Sequence, residues 1–114
     1  MKRTYIDYIE DILTSIQEIE EFVKGMSFDD FVKDKKTVNA VIRSLEVMGE
    51  AVKKIPKEIR DKYPDTPWKY IAGMRDKLIH EYHGVDLTIV WEVIEKEIPP
   101  LKPKFKEILD ELKE

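Results

Sequence analysis

The chain has 114 residues, 42% of them hydrophobic and 39% charged, with no cysteine and a formal net charge of −4. That length builds one domain around a single core and leaves no room for a separate cofactor domain. The missing cysteines exclude disulfides, thiol catalysis and thiolate metal sites, and the acidic balance excludes coating of nucleic acid by bulk electrostatics.

From Tyr5 to Lys24 the apolar residues Tyr5, Ile9, Ile12, Ile16, Ile19 and Val23 recur every three or four positions. This is the stripe of an amphipathic helix of about five turns, closed by Gly25. Ser27 with Asp30 three residues later predicts a capped short turn that carries Phe28 and Phe31 into the core. Residues 35–55 hold the most regular period, Val38, Val41, Leu45, Met48, Val52 and Ile55, a heptad-like seam expected to pack nearly antiparallel on the first helix. Gly49 inside that helix costs about 1 kcal/mol against Ala, so its place beside Met48 and Ala51 marks a close approach by another backbone. Ile42 and Val47 lie off the seam and offer a second contact, for which another subunit is a candidate.

Pro56 ends this helix, and Lys57 to Tyr63 form one more turn. Thr66 suits an N-cap and Pro67 the first position of a helix from Trp68 to about Tyr82, which buries Ile71, Met74 and Leu78. Asp86 caps a further helix through Leu87, Val90, Trp91 and Ile94, which Pro99-Pro100 is expected to interrupt. A last helix uses Leu101, Phe105, Ile108, Leu109 and Leu112. No stretch alternates with period two and nothing repeats, so the class is all-α, an antiparallel bundle of four to five main helices with short connecting turns, one domain over residues 1–114. No apolar run reaches the roughly 18 residues of a membrane span and no cleavable leader is evident, so the expected location is the cytoplasm, with no membrane partner.

Chemistry concentrates in Met74 to Gly84, Met-Arg-Asp-Lys-Leu-Ile-His-Glu-Tyr-His-Gly, which holds both histidines of the chain. In a helix Arg75, Ile79 and Tyr82 share one stripe and Asp76, His80 and His83 a second; Arg75 and His80 are about 140° apart around the axis and about 7.5 Å along it. A guanidinium on a long stem can sweep to the imidazole's side, or the two meet across a partner chain. Asp76 can orient the His80 ring, leaving its other nitrogen to move a proton near neutral pH. Arg75 is a fixed cation shaped to hold a phosphate. Together they form the minimum kit for phosphodiester chemistry on RNA without a metal, where the ribose 2'-hydroxyl is the nucleophile. The plainer alternatives are a structural histidine, an Arg75 ion pair with Asp76 or Glu81, and a half-buried Tyr82 ring. Asp76, His80 and His83 also align as three metal ligands, but no fourth is evident and Gly84 is a C-cap candidate that would unwind the helix at His83. No metal and no other cofactor is therefore expected. A cluster of cations, Lys53, Lys54, Lys57, Arg60 and Lys62, with Lys69, Arg75 and Lys77 downstream, reads as a solvated face or as a local basic patch.

Arg75 and His80 with four residues between, then Glu81 and Tyr82, form an Arg-x4-His-x-Tyr pattern that resembles the HEPN superfamily, specifically its HepT-like toxins. Arg43-Ser-Leu-Glu-Val-Met-Gly-Glu-Ala51, Trp68, Ile71-Ala-Gly-Met-Arg75, Tyr82-His-Gly-Val-Asp-Leu87 and Val90-Trp91 extend the likeness over nearly the whole chain. The resemblance implies a homodimer with two motifs in a shared cleft, acting as a metal-independent endoribonuclease that leaves a 2',3'-cyclic phosphate. It assigns phosphate stabilisation to Arg75 and proton transfer to His80, while the supporting place of Asp76 comes from its spacing to His80 alone. Tyr82 is then the acceptor of AMP from a cognate MntA-type nucleotidyltransferase, the antitoxin that silences the toxin. Position 76 is Asp where many relatives carry Asn, and the added negative charge near a phosphate lowers expected activity or narrows the substrate range. The alternative is a non-catalytic helical subunit that binds a nucleotidyltransferase or a nucleotide.

Overall fold

The first apolar stripe becomes α1 (Tyr5–Phe22), started by a reciprocal cap in which the Asp7 N–H donates to Thr4 and the Thr4 N–H donates back to the Asp7 carboxylate at 2.9 Å. The helix stops two residues short of Lys24. Its last turn tightens, with the Lys24 N–H reaching the Glu21 carbonyl, and the chain reverses through Gly25 at φ +77°, a conformation that L side chains resist. This computed structural model describes residues 4–80 and 86–114, and the side chains of 75–80 fall outside that description.

Ser27 and Asp30 form the expected capping box and open α2 (Phe28–Lys33). One residue later Asp34 caps α3 (Lys35–Lys53), accepting from the Thr37 N–H at 3.1 Å and the Thr37 hydroxyl at 2.8 Å. All six residues of the predicted seam, from Val38 to Ile55, are buried, and so is Gly49. After α4 (Lys57–Lys62), α5 (Trp68–His80) begins at the expected Trp68, with the Pro67 carbonyl taking the first helical bond, from Ile71. The expected end of this helix near Tyr82, and the Gly84 cap, lie outside the described residues.

Asp86 caps α6 (Leu87–Glu92) through the Thr88 N–H at 2.9 Å. The proline pair then departs from expectation: Pro99 and Pro100 do not interrupt the path. A π-helical turn, Val93–Glu97, leads directly into α7 (Ile98–Lys113), with the Ile98 N–H bonded to the Val93 carbonyl five residues back. The wider turn gives the pyrrolidine rings room, and the backbone bonds that Pro99 and Pro100 cannot donate are lost together at this junction, in the opening turn of α7.

Helix α3 is the central member, packed on α1 and α5, while α1 also packs on α7. Tyr8 and Asp11 from the start of α1 share a shallow hollow with Val47, Glu50 and Lys54 from the end of α3, so these helices run antiparallel, as the seam predicts. Ion pairs from Glu20 to Lys102 and from Glu10 to Lys113 fix α7 antiparallel to α1. Phe31 and Phe105 are the largest fully buried side chains of the apolar interior, and no strand occurs among the described residues. No helix among them is long and apolar enough to cross a membrane.

Candidate active site

The helix that carries the predicted motif is held by its first turn. Trp68 is buried, donates its indole N–H to the Tyr63 carbonyl at 3.0 Å and sets its ring edge-on to Phe105 of α7, with centroids 5.6 Å apart and planes at 81°. Ile71 and Met74 continue the buried stripe against α3, one and two turns on. The Tyr63 hydroxyl donates to the Glu111 carboxylate, tying the chain just ahead of α5 to the end of α7. That bond favours the protonated phenol and pushes the Tyr63 pKa up to about 12. Position 75 follows directly after the last described anchor, Met74. Arg75, Asp76 and His80 belong by backbone to the final turns of α5, their side chains outside the described residues, as are Tyr82 and His83 altogether.

Beside the anchored end of α5 lies an open groove of about 540 Å³. Its apolar lining comes from Val52, Pro67, Trp68 and Ala72, and among the described residues its charged lining is cationic: Lys53 from α3, Arg60 from α4 and Lys69 from α5. Three members of the cationic cluster seen in the sequence thus converge. Lys57 does not join them and pairs with Asp61 at 2.9 Å along α4. Tyr70 completes the wall with 48% of its surface exposed. Partial burial, with the Glu97 carboxylate nearby, raises its pKa, so the hydroxyl stays neutral at physiological pH. Sequence reasoning passed over Tyr70, yet a signal was present: an aromatic residue beside a lysine, one position off the Ile71–Met74 stripe, faces away from the core. Among the described residues no three of His, Cys, Asp or Glu gather as a metal site; the Asp76, His80 and His83 set lies outside them.

The chain is thus an all-α bundle with one helix clamped at its base and, beside that clamp, a groove whose described charged lining is cationic. The sequence profile of the ribonuclease HepT-like family matches residues 12–108, a span that includes every motif residue from Arg75 to Tyr82, and the chain belongs to that family. Membership gives it an enzyme class, that of the ribonucleases. It is 58% identical over 106 residues to a protein of Caldanaerobacter subterraneus subsp. tengcongensis provisionally named an RNase, covering 93% of this chain and 95% of that one. A relative from Thermococcus cleftensis, provisionally named ribonuclease HepT, is 50% identical across 95% of this chain and 98% of its own. A third, from Methanocaldococcus jannaschii and provisionally named an RNase, is 51% identical across 99% of this chain and 97% of its own. No solved structure matches the chain.

Proposed function

We infer that the chain is a metal-independent endoribonuclease and the toxin of a HepT/MntA-type toxin–antitoxin pair, acting in the cytoplasm. The observation that carries this reading is the family match, which spans the Arg75–His80–Tyr82 pattern and the helix that bears Arg75 and His80. Arg75 holds the scissile phosphate and stabilises the charge that builds on it. His80 takes the proton of the ribose 2'-hydroxyl as its oxygen bonds to phosphorus; the bond from phosphorus to the 5' oxygen breaks, leaving a 2',3'-cyclic phosphate and a 5'-hydroxyl. One imidazole cannot serve as base and acid in a single step, so the partner subunit's His80 protonates the leaving oxygen across the cleft of a homodimer. Asp76 orients the ring. Transfer of AMP to Tyr82 by the cognate nucleotidyltransferase sets a bulky anion on the Arg75 stripe, competes for its charge and fills the cleft.

The test is cleavage of RNA in EDTA by the wild-type chain, His80→Ala and Arg75→Ala. Loss of a general acid–base group costs about 10²–10⁴-fold in rate and loss of a charge-stabilising donor about 10²–10³-fold, so either variant should fall at least about a hundredfold below wild type. Equal cleavage by wild type and His80→Ala would remove the assignment. A monomer in light scattering at assay concentration would contradict the shared cleft, and an unmodified Tyr82 after incubation with the nucleotidyltransferase and ATP would contradict the silencing scheme alone.

A further inference from the structure

The groove beside the base of α5 is not used by the chemistry above. We propose that it holds the single-stranded RNA leading to the scissile phosphate, with backbone phosphates against Arg60 and Lys69 and a base stacked on Tyr70. The proposal rests on the ribonuclease reading for its choice of occupant and on three observations for its place. First, in a chain of net charge −4 the described charged residues that line this groove are all cations, and neither Arg60 nor Lys69 forms an ion pair with another described residue. Cations held in a concave, partly apolar site attract an anionic strand far more than a scattered surface charge does. Second, Tyr70 offers the groove a half-exposed aromatic ring, and stacking on such a ring accepts any base, which suits a strand and not a simple anion. Third, position 80 lies eleven residues beyond position 69 on the same helix. Eleven residues turn the helix about three full times, so the backbone at 80 returns to within about 20° of Lys69, some 16 Å further along. A strand laid along this face of α5 runs from the groove to the motif within a few nucleotides.

Binding separates this proposal from the catalytic one. The probe is a fluorescent single-stranded RNA of about ten nucleotides, within the length such sites cover, read by anisotropy against full-length protein carrying His80→Ala so that the strand survives. Adding Arg60→Ala and Lys69→Ala should flatten the slope of log affinity against log salt by about 1.4, because each lost single-strand phosphate contact removes about 0.7. Tyr70→Ala should weaken binding about tenfold, while Tyr70→Phe, which keeps the ring, should bind as the parent does. An unchanged salt slope and unchanged affinity in these variants overturns the groove and leaves the ribonuclease reading intact. Weakened binding by a protein that cleaves no RNA upholds the groove and overturns the nuclease. Loss of binding that coincides with a change of mass in light scattering identifies the groove as a subunit interface and overturns the proposal.

Discussion

If α5 is held in place by Trp68, replacing that residue with Phe should loosen the helix by a calculable amount. Trp68→Phe removes two ring carbons and the indole nitrogen from a site only 8% exposed. Two buried CH groups at about 0.8 kcal/mol each contribute about 1.6 kcal/mol. The lost hydrogen bond to the Tyr63 carbonyl adds about 1 kcal/mol and no more, because that carbonyl still accepts from the Thr66 N–H at 3.1 Å. The expected loss is therefore about 2–3 kcal/mol, or roughly 10 °C in Tm for a chain of this length. Urea titration at fixed protein concentration measures it, and Trp91, the one tryptophan left in the variant, reports unfolding by fluorescence. Trp91→Phe is the control: that ring is half-buried, tilted against Phe28 and Phe31 at 6.1 and 5.1 Å, and its replacement should cost less. A Trp68→Phe loss below about 0.5 kcal/mol, within the range of ordinary surface substitutions, would refute the clamp on the first turn of α5.

Two glycine substitutions should move stability in opposite directions. Gly25→Ala forces a side chain into positive φ and should cost roughly 1–2 kcal/mol, whereas Gly73→Ala adds a methyl to mid-α5 where nothing lies within 4 Å and should gain about 0.5–1 kcal/mol. A loss at Gly73 in the same urea titration would mean that another molecule covers this face, as a partner subunit would. At alkaline pH the raised Tyr63 pKa stabilises the fold in full below the ordinary tyrosine value of 10.0, and that contribution disappears as pH rises through about 12. Tyr63→Phe should flatten stability against pH in this window, and one of the five tyrosines should drop out of the late phase of an ultraviolet titration. At acid pH, Asp30 and Asp34, held below 3.8 by the backbone N–H groups they cap, stabilise the fold above that value and lose the effect as pH falls through their lowered pKa values. Asn at both positions keeps the caps without the titration, and should shrink the acid loss seen by circular dichroism.

The bundle was legible because burial follows a stripe: Ile9, Ile12, Ile16 and Ile19 on α1 and the six seam residues up to Ile55 are all interior. Ser27 and Asp86 were legible as caps because a side-chain oxygen beside free N–H groups acts locally. Pro99 and Pro100 were misread by the same local logic. Ile94, Ile98, Leu101, Phe105 and Ile108 keep steps of four and three straight across them, and all five are buried, so the core's demand for one continuous face outweighed the breaker signal. The cations at 53, 60 and 69 were visible as a cluster, but their convergence depends on how the end of α3 packs against the start of α5, which no local pattern encodes.

That convergence bears on how an acidic chain could act on RNA at all. Excess negative charge repels a polyanion only within reach of its field, and at physiological ionic strength the field of an exposed charge is largely spent beyond about 8 Å. Arg60 and Lys69 meet a strand at contact distance, while carboxylates elsewhere on the surface, such as Glu10 and Glu20, are paired with Lys113 and Lys102. Attraction thus outweighs repulsion in the groove and the balance reverses away from it. A surface built this way engages a few phosphates of an unpaired strand and discourages wider contact with a duplex. Its affinity should then depend on salt with a slope of about −2.1, from two groove phosphates and the one at Arg75, far shallower than that of a protein that coats nucleic acid.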